Sequence, residues 1–176
     1  MSKLQVETIS HTNNTSGLTI DSSGNVTAPV SIGNVGSIVQ VCYTTSTANL
    51  GTGNTSFTAL GLITTITPKF SSSKMVVTLI GGLQTYSSVS GGAPNGTTGL
   101  YREIASGGYS AIESTWGLMY AIDYNYGTPN ACEYVDSPNT LSEVKYQLYH
   151  KSTTSNTHWL NYTPCRITLK VMEIKQ

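Results

Sequence analysis

The chain has 176 residues and a mass of 18.7 kDa, with nine basic against nine acidic side chains and only 10% charged residues, where an ordinary soluble domain has roughly 25%. Zero net charge without a basic cluster argues against nucleic acid, whose phosphates are held by Lys and Arg. No run reaches the ~18 apolar residues of a membrane-spanning helix, and 38% hydrophobic content is too high for a wholly disordered chain.

Residues 1–36 form a segment of their own. Leu4 and Val6 alternate once, residues 11–17 are polar throughout, and Leu18-Thr19-Ile20 and Asn25-Val26-Thr27 flank the turn signal Asp21-Ser22-Ser23-Gly24. That pattern predicts a small hairpin. Its few hydrophobes, Leu4, Val6, Ile9, Leu18, Ile20 and Val26, bury too little area to offset the entropy of ordering the segment. The arm is therefore expected to be held by a neighbouring subunit or another protein. Pro29, Gly33 and Gly36 make the joint to a body at 37–176. The first residues lack the apolar stretch of a secretory signal.

The body is rich in Thr, Tyr, Val and Ile, which suit a pleated surface, and in Gly, Asn and Ser, which suit turns. Ile38-Val39-Gln40-Val41-Cys42-Tyr43 reads as a strand, residues 44–55 as turn-rich, 56–67 as strand-like, and 74–86 as a long strand bent at Gly81-Gly82. Residues 87–99 read as a loop. Ala105-Ser106-Gly107-Gly108 joins two short strands. Leu118, Tyr120, Ile122 and Tyr124 alternate strictly, and 131–135 follows as a further strand. Asp136-Ser137-Pro138-Asn139 predicts a turn in which the Asp and Asn side chains bond locally. Val144, Tyr146 and Leu148 alternate with Lys145, Gln147 and Tyr149, which predicts one buried face, and 157–162 is expected to pair with that strand across a serine-rich turn. Ile167, Leu169 and Val171 alternate, then the apolar phase moves to Met172 and Ile174, which predicts a bulge or frayed end. The sum is an all-β fold: an extended N-terminal arm followed by a single antiparallel, jelly-roll-like β-sandwich of about eight strands.

The chemistry-bearing residues are sparse. Neither a nucleophile elbow nor a phosphate-binding loop is present, so no enzyme activity, cofactor or metal is expected. Cys42, Cys132 and Cys165 lack metal-site spacing and read as small core hydrophobes, although Cys42 and Cys165 would fall on the first and last strands of the body. His150 and His158 flank a predicted hairpin and, with no third ligand, read as solvent-exposed strand residues. Asp123 and Glu133 fall on consecutive strands, but read as two surface acids rather than a glycosidase pair. Tyr120, Tyr124, Tyr126 and Tyr134 form the richest aromatic run. Tyr stacks on sugar faces, so this run is a candidate glycan or receptor contact, against the alternative of core and intersubunit packing.

Several segments carry a resemblance. Residues 2–9 and 17–27 resemble N-terminal pieces of tailed-phage virion proteins. The stretch from Ile66-Thr67-Pro68-Lys69-Phe70-Ser71 to Met75-Val76-Val77, then Leu100-Tyr101-Arg102-Glu103-Ile104, Tyr134 to Thr140, Val144-Lys145-Tyr146 and the terminal Ile167 to Ile174 resemble a β-sandwich domain of fibre-like proteins, including those of phages infecting cyanobacteria. The resemblance implies a homotrimeric virion structural protein made in the host cytoplasm, docked through its arm to other virion proteins and projecting its sandwich towards a host-surface glycan. Here the arm meets the body within about ten residues, which favours a short fibre, an adaptor or a capsid decoration protein over a long fibre. A capsid decoration protein and a lectin-like glycan-binding domain are the alternatives.

Overall fold

The computed structural model describes residues 8–10, 16–20, 22–23, 26–27, 36–86, 95–115, 118–120, 128–153, 157–162 and 165–176. The chain divides into two compact units, 1–37 and 38–176.

The first unit carries three antiparallel strands, β1 (Thr8–Ser10), β2 (Ser16–Ile20) and β3 (Val26–Thr27). Ile20 pairs with Val26, giving the hairpin expected around residues 21–24, and β1 adds to it with Ile9 opposite Leu18. Leu4 and Val6 lie outside the described residues.

The second unit is all β. Its strands are β4 (Ile38–Ser46), β5 (Leu50–Thr52), β6 (Thr58–Ile66), β7 (Lys74–Tyr86), β8 (Asn95–Ile104), β9 (Ser110–Glu113), β10 (Leu118–Tyr120), β11 (Thr128–Asp136), β12 (Val144–Ser152), β13 (His158–Asn161) and β14 (Ile167–Ile174). They form two antiparallel sheets, the first ordered β10-β8-β12-β6 with β9 also on β8, the second β4-β14-β7-β13-β5 with β11 also on β7. Eleven strands among the described residues exceed the eight or so expected, and four of them, β5, β9, β10 and β13, are only three or four residues long. The first part of residues 44–55 continues β4, and residues 95–99 begin β8 rather than belonging to a loop.

Alternation builds the core. Leu62 and Ile66 of β6, Leu100 of β8 and Val144, Tyr146 and Leu148 of β12 meet Met75, Val77 and Leu79 of β7 and Ile167, Leu169 and Val171 of β14, all buried. Thr64 donates to the Leu169 carbonyl at 2.8 Å, a buried hydrogen bond from one sheet to the other. The bend in β7 is real: Gly81 and Gly82 have φ of +79° and +69°. Below it β7 pairs with β14 and β11, and above it Thr85 and Tyr86 pair with β13. A Cβ on Gly82 would touch Asn130, Ile167 and Asn161. Those two asparagines seal the bend, Asn130 donating to the carbonyls of Gly81 and Leu160 and Asn161 to those of Ala48 and Cys165.

Candidate functional site: buried bridges and an apolar sheet face

Four sequence expectations are corrected by the fold. The segment around β13 does not pair with β12. It crosses to the other sheet and pairs with β5 and β7. His150 and His158 are consequently not solvent-exposed strand neighbours but fully buried. The inward phase of Val144, Tyr146 and Leu148 continues to His150, and the crossing of β13 brings His158 towards it from the opposite sheet. Third, Asp136 does not bond within its turn. Its carboxylate turns inward, takes Nη1 of Arg102 on both oxygens at 2.7 and 2.8 Å, and accepts the Tyr146 hydroxyl at 2.7 Å. Finally, the apolar phase of β14 does not shift. Glu173 keeps the inward position, while Met172 and Ile174 face outward on the same alternation. A register shift against β4 does occur between Glu173 and Ile174.

Each of these buried polar groups bridges the sheets or fastens an element. Arg102 of β8 and Tyr146 of β12 reach Asp136 of β11. Burial and the adjacent carboxylate push the Tyr146 phenol far up, so its proton stays on the hydroxyl. Nε2 of His150 lies 2.8 Å from Nδ1 of His158, and the Thr98 hydroxyl lies 3.1 Å from Nδ1 of His150. Burial pulls His150 down to about 3, with the charge of His158 adding to it, and burial alone pulls His158 to about 4. Both rings are therefore neutral at pH 7. Whichever ring carries the shared proton, Nε2 of His158 has no hydrogen-bond partner among the described residues. Burial would raise the Glu173 carboxyl, but hydrogen bonds from Gln40 and from the amides of Lys69 and Phe70 outweigh it, and the group sits below its usual range.

Asp136, Tyr146, His150, His158 and Glu173 are all buried and pin the sandwich. No group of three His, Cys, Asp or Glu that could hold a metal occurs among the described residues. Cys42, Cys132 and Cys165 are free thiols, each half-buried rather than fully inside. Cys42 stands opposite Val171, and Cys165 precedes β14 by two residues. Of the expected tyrosine run, Tyr134 packs against the core, Tyr120 is a β10 position paired with Asn95, and Tyr124 and Tyr126 lie outside the described residues, as does Asp123. Glu133 stands on β11 opposite Thr78.

The open surfaces are the two outer sheet faces. On the β8–β12 face, Tyr101 and Tyr149 stack with ring centroids 3.8 Å apart, Phe57 meets Tyr101 edge-on at 5.9 Å, and Lys151 lies over Phe57. Tyr109 leans on Tyr149, and burial followed by the Glu103 charge raises its phenol. Sequence reading passed over this cluster, although Tyr149 sits on the outward phase of β12 with Lys145 and Lys151.

On the other face the strands stand in the order β4, β14, β7, β11. Register aligns three rows across it: Val41–Met172–Val76–Val135, Tyr43–Lys170–Thr78–Glu133 and Thr45–Thr168–Ile80–Ala131. Ile174 stands opposite Ile38 beyond the first row. Exposure reaches 59% at Ile38, 48% at Val41, 68% at Tyr43, 51% at Ile80 and 54% at Val135. The first row is thus wholly apolar and partly open to solvent, where an antiparallel sheet of a sandwich ordinarily presents polar side chains, while the second and third rows also carry Lys170, Glu133 and three threonines.

No protein-family model matches the chain, and no curated protein matches it. Among solved structures it is similar to the Eiger TNF of S. frugiperda, at 11% identity and a TM-score of 0.42, over 77% of this chain and 93% of that one.

Proposed function

We propose that this chain is a virion structural protein of a tailed phage, a short tail-fibre component that attaches through residues 1–36 and projects its sandwich outward towards the host surface. It acts as a homotrimer with other virion proteins as partners of the arm, and as a binding and assembly module rather than an enzyme. One observation carries this reading: the apolar outer face formed by Ile38, Val41, Tyr43, Ile80 and Val135. Exposed apolar side chains gathered on one sheet face mark surfaces that serve assembly. The separate three-stranded arm unit and the low charge of the chain support the same reading.

Two measurements test it. The native mass of the full chain should be three times that of the monomer, and a stable monomer overturns the proposal. Antibody labelling of virions should decorate the tail, whereas label over the head favours capsid decoration.

A lectin-like role has one observation in its favour, the Phe57–Tyr101–Tyr149 cluster on the opposite sheet face. Aromatic rings with an adjacent lysine and a tyrosine hydroxyl suit the mixed apolar and polar faces of a sugar. Binding to a glycan array that disappears on Tyr101→Ala supports it, and an array without binding removes it.

A further inference from the structure

We infer that the outer face of β4, β14, β7 and β11 packs against the same face of further copies of this chain, about an axis parallel to its strands, so that Lys170 of one copy comes within one strand spacing of Glu133 of the next. The inference rests on the assembly reading above and deepens it by naming the surface and its alignment.

Three rows of residues cross this face. Neighbouring strands are about 4.8 Å apart. Residues in one row stand at the same height along the strands, and a rotation about an axis parallel to the strands preserves that height. It sets the β4–β14 side of one copy against the β7–β11 side of the next, row upon row. Val41 and Met172 then meet Val76 and Val135. Thr45 and Thr168 meet Ile80 and Ala131. In the middle row Tyr43 stands opposite Glu133 and Lys170 opposite Thr78, so at each junction the cation lies one strand spacing from the anion, within reach of a lysine side chain.

The charges decide between axes. An in-plane axis perpendicular to the strands leaves each strand facing its own copy. Lys170 would stand against Lys170 and Glu133 against Glu133, with the valine row set against the threonine row. Like charges facing across an interface are costly. The parallel axis removes that conflict, and the natural twist of the sheets only tilts the rows.

Within one copy the two charges do not satisfy each other. Lys170 and Glu133 both flank Thr78, one on each side, which puts them two strand spacings or about 9.6 Å apart. Neither takes part in an ion pair among the described residues. The Thr78 hydroxyl between them is buried and has no partner among the described residues. The face thus carries both halves of its own complement, which is what a second copy offers and an unrelated partner does not.

The test uses the full chain, with native mass and light scattering over a dilution series. The wild-type chain should be oligomeric. Val135→Asp should reduce it to monomer with an unchanged circular dichroism spectrum. Lys170→Glu and Glu133→Lys should each raise the dissociation constant about tenfold, and the double exchange should restore it to within about threefold. A monomeric wild type overturns both the inference and the assembly reading. An oligomer indifferent to Val135→Asp, in a variant that still folds, overturns the inference alone and assigns assembly to another surface. Were Val135→Asp to fail to fold, the charge exchange decides: single variants without effect, or a double exchange without rescue, overturn the alignment. A dimeric mass with the expected variant pattern supports the inference and overturns the three-fold reading instead.

Discussion

His150 and His158 meet across the interior of the sandwich, Nε2 to Nδ1 at 2.8 Å, one from each sheet. Both rings are fully buried and neutral. Among the described residues their partners are each other and Thr98, and no carboxylate hydrogen-bonds to either ring to favour a charged form. The bridge needs at least one unprotonated ring as acceptor, and burial opposes charging either imidazole.

Acid should loosen this fold well above the carboxylate range. In the unfolded chain each histidine titrates near 6.5, whereas in the fold the values fall to about 3 and about 4. Between these limits the unfolded state binds more protons, so stability falls as pH falls. The slope approaches about 1.4 kcal/mol per pH unit for each ring. Urea denaturation at pH 5 should show about 4 kcal/mol less stability than at pH 7.5. His158→Phe should lower the starting stability and roughly halve this pH dependence. Equal stability at the two pH values would contradict the neutral buried pair.

Gly96 is a steric partner of the same bridge. A Cβ on this residue would enter the imidazole of His158 at Nδ1, Cε1 and Cγ. Its φ is not in the left-handed region, so the constraint is space alone. Gly96→Ala should cost about 1–3 kcal/mol, as overpacking in a filled core does. A chemical-denaturation midpoint unchanged from wild type would show that the ring moves aside without cost.

Much of this fold was legible in the sequence because strand alternation is local. The inward sets at Val144, Tyr146 and Leu148 and at Ile167, Leu169 and Val171 follow from period two, and the bend at Gly81-Gly82 from paired glycines. Pairing partners are not local, and there the reading failed. Nothing in residues 157–162 distinguishes a strand returning beside β12 from one crossing to β7, and the burial of both histidines depends on that choice. Asp136 looked like a turn residue because its neighbours are Ser137, Pro138 and Asn139. Its real partners, Arg102 and Tyr146, are 34 and 10 residues away. The apolar sheet face was half visible: Met172 and Ile174 appeared as a phase error, when they are outward residues of a strand whose alternation continues. The aromatic cluster does not fall in the densest tyrosine run but forms from Tyr101, Tyr149 and Phe57 on three separate segments.

The Asp136 bridge should behave as a unit. Tyr146→Phe removes one hydrogen bond to a charged acceptor and should cost about 1.5–3 kcal/mol. Arg102→Leu leaves the buried carboxylate with only the tyrosine and should cost about 3–5 kcal/mol. The double variant should cost less than the sum, because both partners serve the same carboxylate. The phenol offers a second readout. Its raised value means that its proton is retained in the fold, so the stability it contributes is present below pH 10 and lost above it. Ultraviolet titration should find one tyrosine that ionises only when the chain unfolds in base, and this late step should vanish in Tyr146→Phe.

Glu173 supplies a prediction that runs against the hydrophobic pattern. It occupies an inward position on β14 between Val171 and the end of the strand, where alternation calls for an apolar residue. Glu173→Leu would complete that alternation. It should nevertheless destabilise the sandwich, because Oε1 accepts the amides of Lys69 and Phe70 at 2.8 and 3.1 Å and Oε2 accepts Gln40 at 2.6 Å. Leucine would leave these donors buried without an acceptor, at about 1–3 kcal/mol each for those that water does not reach. Glu173→Gln, which keeps one acceptor oxygen, should cost less. The depressed carboxyl adds a sign: its contribution is present above pH 4.5 and is lost as pH falls through the lower folded value. Denaturation of the three chains at pH 7 and pH 3.5 measures both effects. A leucine variant as stable as wild type at pH 7 would show that the 69–73 turn does not depend on β14.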